Sequence, residues 1–410
     1  MNKLKIINDP IYGFVNIPDE LIYDIIQHPY FQRLRRISQM GLSYLVYPGA
    51  RHTRFHHAIG AMHLMQTAIN VLKQKNVNIS KEEELAALTA ILLHDVGHGP
   101  FSHALEFSII KNISHEQISL AIMQELNREF NGQLDLAIQI FTGQYHKKFL
   151  TELISSQIDV DRLDYLRRDS FYSGVIEGQV NSERLIKMLN VKDNQLVIDE
   201  KGIYSVEKFI ISRRLMYWQV YLHKTGMMLE RILEKTLWRV KDLLQQNTPV
   251  FLDDNLAYLF KENLTQIKPE SLEIFTALDD SDIWYHLKKW THHPDFILSR
   301  LSRMIVYRQD LNKIIIQKEA FDRQTLDDLK IKVLKQYPID EKDISYLLFS
   351  EKLTHRAYSK DKQPIKLLTK KNDIIEFAKA SDQLNIEALS HPVTKYFLSY
   401  PVLNQIFIRS

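Results

Sequence analysis

Residues 85–103 read LAALTAILLHDVGHGPFSH. Leu85 to Leu93 is almost wholly apolar, the pattern of a helix buried on all sides. The run ends in His94-Asp95 and breaks at Gly97, Gly99 and Pro100, with His98 and His103 on the breaking loop. A carboxylate at the end of a buried helix is costly unless a positive group neutralises it. An imidazole beside it, and two more just past the break, predict a metal ion with a reaction centre around it.

The chain has 410 residues, enough for a large core and two lobes. Its 25% charged and 45% hydrophobic residues are ordinary for a water-soluble globular protein. A net charge of +3 does not mark a nucleic-acid or membrane protein, although local patches still matter. There is no cysteine, which excludes disulfides, thiolate zinc sites and a cysteine nucleophile, and leaves nitrogen and oxygen to hold any metal. The opening MNKLKIINDPIYG lacks the apolar region of a signal peptide. No stretch approaches the roughly 20 apolar residues that span a bilayer. The expected setting is therefore the cytoplasm, without membrane contact. No G-x-x-x-x-G-K-[ST] loop is present, which argues against kinase-type chemistry.

Working outward, residues 4–17 read as two short extended pieces about the turn Asn8-Asp9-Pro10. Residues 19–40 read as helix, interrupted at Pro29 and resumed by FQRLRRISQM. Thr53 is the predicted N-cap of RFHHAIGAMHLMQTAINVL, and Ser80-Lys81-Glu82-Glu83 matches a capping box that opens the central helix. Further helices are predicted over 114–130, 133–143 and 150–169, with one or two long ones over 203–245. The fold class is mainly α, a helical bundle over residues 1–245. Past 245, segments such as DISYLLFSEKLTHRAYS alternate and predict a smaller mixed α/β lobe over 246–410.

Four groups on three predicted helices are candidate metal ligands: His57, His94, Asp95 and Asp161. A helical histidine is more often packed core than a ligand. The apolar lead-in, the glycines and the density of histidine weigh the other way. Two imidazoles and two carboxylates suit one divalent ion, and Mn, Fe, Mg, Zn, Ni and Co all fit such a set. Four protein ligands leave positions open for water and substrate.

HTRFHHAIG, HDVGHGPFSH, SHEQ and IDVDRLDYLRRDS resemble the HD-domain phosphohydrolases. NDPIYG, FQRLR and YPGARHTRF, in the same order, narrow the resemblance to the deoxynucleoside triphosphate triphosphohydrolases, the dGTPase and SAM-and-HD-domain enzymes. It covers residues 5–235. It implies an HD-domain bundle, a metal at the four groups above, and release of a deoxynucleoside and tripolyphosphate, with Mg accompanying the nucleotide. His115 matches the family's general acid. Glu106 stands where relatives carry the Asp that orients it. His98 and His103 match phosphate contacts, and Gly97 and Gly99 let backbone approach a ligand. Arg54, Arg162 and Arg213 match the cations of the triphosphate pocket, Arg162 replacing a Lys of vertebrate relatives.

Asp161, Tyr165 and Asp169 share one helix face by spacing. The resemblance places Tyr165 where a 2′-hydroxyl would sit and Asp169 at the 3′-hydroxyl. Asp164 and Arg168 read as a structural ion pair. Gln39 and Met40 match the sugar and base wall, and Tyr221 another pocket aromatic. Leu222 replaces a Gln near the base, so base preference does not transfer. Many relatives are nucleotide-activated oligomers, and Asn8, Arg35, Val46, Tyr47, His223 and Lys224 match parts of their effector site. Gln27 replaces the Asp that reads guanine there. The expected partners are deoxynucleoside triphosphates and further copies of this chain, as a dimer or tetramer.

Residues 303–371 hold 16 Lys/Arg and 10 Asp/Glu, an excess of 6 positive charges. Nucleic acid, polyphosphate, effector nucleotides and plain solvent are all open for that face. Two other functions compete with the leading one. One is a different HD phosphohydrolase acting on nucleoside monophosphates or a signalling nucleotide, and the other is a non-catalytic nucleotide- or nucleic-acid-binding module.

Overall fold

Lys81–Leu93 forms the central helix of the computed structural model, which describes residues 5–101, 113–261, 268–359, 363–382 and 389–403. Its capping box is made: Glu83 N donates to Ser80 Oγ at 3.2 Å and Ser80 N to Glu83 Oε2 at 2.8 Å. Every residue from Ala86 to Leu93 is buried, as the apolar run requires. The fold is mainly α, and the described residues add small sheets of two, four and three strands.

The central helix packs on Arg54–Gln74, which packs in turn on Val160–Ser173. Thr53 caps the first, its N–H donating to His56 Nδ1 at 3.1 Å. Gly60 allows the second contact. A Cβ there would lie 2.1 Å from both Asp164 Oδ1 and Arg168 Nη2, so any side chain would expel the buried ion pair.

Residues 150–169 are not one helix. Lys148–Ile154 and Val160–Ser173 are separate, because Asp159 caps the second, accepting from Arg162 N at 2.7 Å and from Ser156 N at 2.7 Å. The break sets Asp161 in a first helical turn. FQRLRRISQM also departs from the prediction. Arg33–Arg36 is a 3₁₀ turn, and Ser38 then pairs with Thr53 as an isolated bridge. Buried Arg33 donates to Val96 O and His98 O, at 3.0 Å each, and these tertiary bonds hold the segment against the loop after Asp95.

At the N-terminus, Lys5–Asp9 and Gly13–Ile17 form an antiparallel hairpin. Its turn falls at residues 10–12, just beyond the predicted Asn8-Asp9-Pro10, because Asp9 Oδ1 accepts from Ile11 N and Tyr12 N. The region 203–245 is Ile203–Met216, a π-helical turn Tyr217–Tyr221, and Lys224–Gln245. Leu222 N donates to Tyr217 O at 2.7 Å. Such π turns often mark functional sites.

Past residue 245 the chain first adds four helices, Asp254–Lys261, Pro269–Ala277, Asp280–Trp290 and Phe296–Val306. Strands follow. Val393–Tyr400 lies between Lys313–Gln317 and Phe349–His355, antiparallel to both. Lys366–Leu368 pairs parallel with Gln195–Asp199, extending the Leu189–Lys192 hairpin from the first half of the chain. Among the described residues, no helix is long and apolar enough to cross a membrane.

Candidate active site

His57 and His94 come from adjacent helices, with ring centroids 5.3 Å apart. Asp161 Oδ1 lies 3.1 Å from His57 Nε2 and 3.5 Å from His94 Nε2. Asp95 reaches the same two nitrogens, at 3.8 Å and 3.4 Å. All four predicted ligands therefore converge from three helices.

The far side of each ring is committed. His57 Nδ1 donates to Asp164 Oδ2 at 2.8 Å, and His94 Nδ1 to Ile91 O at 2.7 Å. A carbonyl can only accept, so Nδ1 of His94 carries its proton, and an ionised Asp164 fixes His57 in the same way. Both Nε2 atoms are buried without a hydrogen-bond partner. Two lone pairs and two carboxylates facing one point fit a divalent cation. Burial alone would lower the His57 pKa, but the Asp161 and Asp164 carboxylates beside the ring push it up to about 10, so a proton competes with a metal for Nε2. Burial likewise opposes ionisation of Asp161, yet His57 and His94 hold it well below the carboxylate range. The cluster calls for positive charge.

Asp164 does more than form the predicted ion pair. It accepts from Arg168 Nε and Nη2 at 2.9 Å each, Arg168 Nη1 donates to Asp9 at 2.8 Å, and the same carboxylate orients His57. Spacing revealed the Arg168 partner, but the His57 contact spans 107 positions and leaves no local signal.

The loop after Asp95 turns back so that His98 stacks on His115, with centroids 3.9 Å apart and planes 27° apart. His98 Nδ1 also lies 3.6 Å from Asp95 Oδ1. Asp95, His98 and His115 form a second group able to hold a metal, beside His57, His94 and Asp161. Asp95 links the two. His115 starts the His115–Glu129 helix, capped by Ser114. Gly97 makes that docking possible, since a Cβ would meet His115 O and Ser119 N at 2.3 Å. At Gly99 a Cβ would meet the Phe275 ring at 3.0 Å. Both glycines thus allow close packing of protein on protein. His103 and Glu106 lie outside the described residues.

A cavity of about 450 Å³ opens on this cluster. Its walls include Asp95, Asp161, His98 and His115 at the cluster, the cations Arg54 and Arg162, and Tyr165, Asp169 and Tyr221 beyond them. Arg54 pairs with Asp95, and Arg162 with Asp159. Asp169 is held on both oxygens, by His52 Nε2 at 2.7 Å and by Tyr221 OH at 2.8 Å. Tyr165 and Tyr221 meet edge to face at 6.2 Å. Gln39 and Met40 also line the cavity. Arg213 does not. Its guanidinium sits 5.9 Å from the Tyr217 ring, and its charge still acts on Tyr165.

The structure adds wall residues that the sequence did not single out, among them Tyr217, Phe101 and Glu230. Tyr217 shared the helical spacing of Arg213 and Tyr221. Phe101 N donates to Asp280 Oδ1 at 2.7 Å, and Ser38 N to Asp280 Oδ2 at 2.9 Å, so a residue from beyond 245 fixes two segments beside the cavity.

The six residues matched to an effector site make separate local contacts. Tyr47 and His223 meet edge to face at 5.7 Å, with Val46 and Lys224 next to them in sequence. Arg35 lies over the Phe55 ring at 3.6 Å, and Asn8 is in the N-terminal hairpin opposite Phe14.

Residues 54–169 match the HD domain model, and residues 180–262 match the HD associated region. The chain is 33% identical over 397 residues to the YwfO protein of Bacillus subtilis, covering 93% of this chain and 88% of that protein. It is 30% identical over 289 residues to human deoxynucleoside triphosphate triphosphohydrolase SAMHD1, covering 60% of this chain but only 46% of that protein. A crystal structure of a phosphohydrolase from Bacteroides thetaiotaomicron superimposes with a TM-score of 0.93 at 48% identity, covering 97% of this chain and all of that one.

Proposed function

This chain belongs to the HD-domain family of phosphohydrolases, and from that premise we propose that it hydrolyses deoxynucleoside triphosphates to a deoxynucleoside and tripolyphosphate. The observation that carries this reading is one cavity of about 450 Å³ holding the His/Asp cluster, two arginines and the Tyr165–Asp169–Tyr221 wall together. That volume lies within the roughly 300–1,000 Å³ of small-molecule sites.

His57, His94, Asp95 and Asp161 would hold the metal. When bound, a divalent ion supplies Lewis-acid polarisation and charge neutralisation at the α-phosphate. Asp164 keeps His57 in the tautomer that leaves Nε2 free, and Ile91 O does the same for His94. Arg54 and Arg162 offset the charge of the phosphate chain. His115 donates a proton to the departing 5′ oxygen, and the stacked His98 ring holds it at the mouth of the cluster. Tyr165 fills the space beside C2′, and Asp169, clamped by His52 and Tyr221, accepts from the 3′-hydroxyl. We also assign Glu106 and His103 their family roles as orienting carboxylate and phosphate contact. Arg213 acts through Tyr217 and Tyr165. Asn8, Arg35, Val46, Tyr47, His223 and Lys224 would meet an effector nucleotide within an oligomer.

Incubation with each deoxy- and ribonucleoside triphosphate, alone and in pairs, with several divalent metals, tests this function. Tripolyphosphate as the inorganic product supports it. Orthophosphate or pyrophosphate would assign the chain to another HD phosphohydrolase reaction. Turnover only with nucleotide pairs, with a change in oligomer size, would support the effector site.

A further inference from the structure

Once the cluster, the cations and the sugar wall are accounted for, one end of the cavity is left. Met40 and Phe101 give it apolar surface, while Gln39, Ser43 and Glu230 give it polar groups. Glu230 is out of place there. It lies on the Lys224–Gln245 helix between the buried residues Leu229 and Ile232, and its Oε1 is 3.4 Å from where a Cβ on Gly41 would stand.

The other carboxylates of the wall all have partners. Asp95 has Arg54, Asp161 has His57, and Asp169 has His52 and Tyr221. Glu230 makes no hydrogen bond or ion pair among the described residues. The adjacent Arg231 turns away to Glu234 at 3.0 Å and Glu351 at 2.6 Å. Glu230 is half-buried, and a carboxyl so placed loses part of its hydration, which donors from a ligand would replace.

We propose that Glu230 reads the base of the substrate and selects guanine, an assignment that rests on the nucleotide occupying the cavity as described above. An ionised carboxylate offers two acceptors side by side and no donor. Guanine alone presents two adjacent N–H donors, N1–H and the 2-amino group, on its pairing edge. Adenine and cytosine set a ring acceptor beside their amino group, and thymine flanks its single N–H with two carbonyls. Each of those three would bring a lone pair against a carboxylate oxygen. Burial pushes the Glu230 carboxyl up to about 7, so near neutral pH the arrival of two donors suffices to hold it ionised.

The test compares wild type and Glu230→Gln for kcat/KM on the four deoxynucleoside triphosphates. Wild type is expected to favour dGTP. In the variant, an amide replaces one acceptor with a donor, and the dGTP-to-dATP ratio should fall about tenfold or more, the discrimination typical of one bidentate base contact. A wild type that prefers another base, or an unchanged ratio in the variant, overturns the assignment. Should no deoxynucleoside triphosphate be turned over, the proposed reaction fails on its own account. Thermal-shift titration with the same four nucleotides then decides Glu230. Selective loss of the dGTP shift in the variant supports the assignment, and equal shifts in both proteins refute it.

Discussion

Asp161 and Glu230 stand on the walls of one cavity and are treated in opposite ways. Burial disfavours the charge on both. At Asp161, His57 and His94 overcome it and hold the carboxylate well below its usual range. At Glu230 only the charge of Arg231 opposes burial, and the carboxyl rises to about 7. The carboxylates of the first wall are each held by a neighbour: Asp161 by His57, Asp95 by Arg54, and Asp169 by His52 and Tyr221. The second is sparse and leaves its polar group waiting. A reaction centre must be rigid before substrate arrives, since misplacement there is paid in rate. A recognition surface needs only complementary groups that the ligand completes.

This contrast can be broken at several points. Asp161→Ala should have the largest effect, abolishing both bound metal and turnover; metal retained at wild-type stoichiometry by elemental analysis would remove the cluster from the mechanism. His115→Ala should keep the metal and lose about 10²–10⁴-fold in kcat, the usual contribution of a general acid. If kcat is unchanged, another group protonates the leaving oxygen.

Asp164→Asn touches neither substrate nor metal directly. It turns one of the two acceptor oxygens into a donor, so His57 and Arg168 compete for the one that remains, and a loss of about 10–100-fold in metal affinity is expected, read by titration of the metal-free protein. Wild-type affinity would mean that packing alone orients the ring.

The smallest effect belongs to the second wall. The Glu230 carboxyl has an ordinary value of 4.5 and a folded value of about 7, so between these pH values the folded chain holds a proton that the unfolded chain has released. Stability from this group is therefore lost as pH rises from about 4.5 to 7, and the full penalty stands above that. Relative to wild type, Glu230→Gln should melt slightly higher at pH 8 than at pH 5; a difference independent of pH would show that the carboxyl is solvated like any surface acid.

Much of the first wall was legible because its signals are local. The apolar run into His94-Asp95, the Ser80 and Thr53 caps and the spacing of Asp161, Tyr165 and Asp169 each lie within a few residues, and backbone periodicity converts such spacing into a shared face. The predictions that missed did so where distant groups intervened. Arg33 reaches across to the loop after Asp95, and the segment around it tightens into a 3₁₀ turn. Asp159 splits a helix whose continuity the pattern suggested. Asp280 fixes Ser38 and Phe101 from the far half of the chain.

What the amino-acid order determined by itself was therefore the inventory of chemistry, meaning which imidazoles, carboxylates, cations and aromatics exist and on which helices. Only the tertiary structure decided which nitrogen of each imidazole is free, that Arg213 is not among the lining residues of the cavity, and that Glu230 faces the cavity without a partner among the described residues. Those outcomes depend on contacts between residues tens to hundreds of positions apart, and burial and charge act through space without regard to distance along the chain.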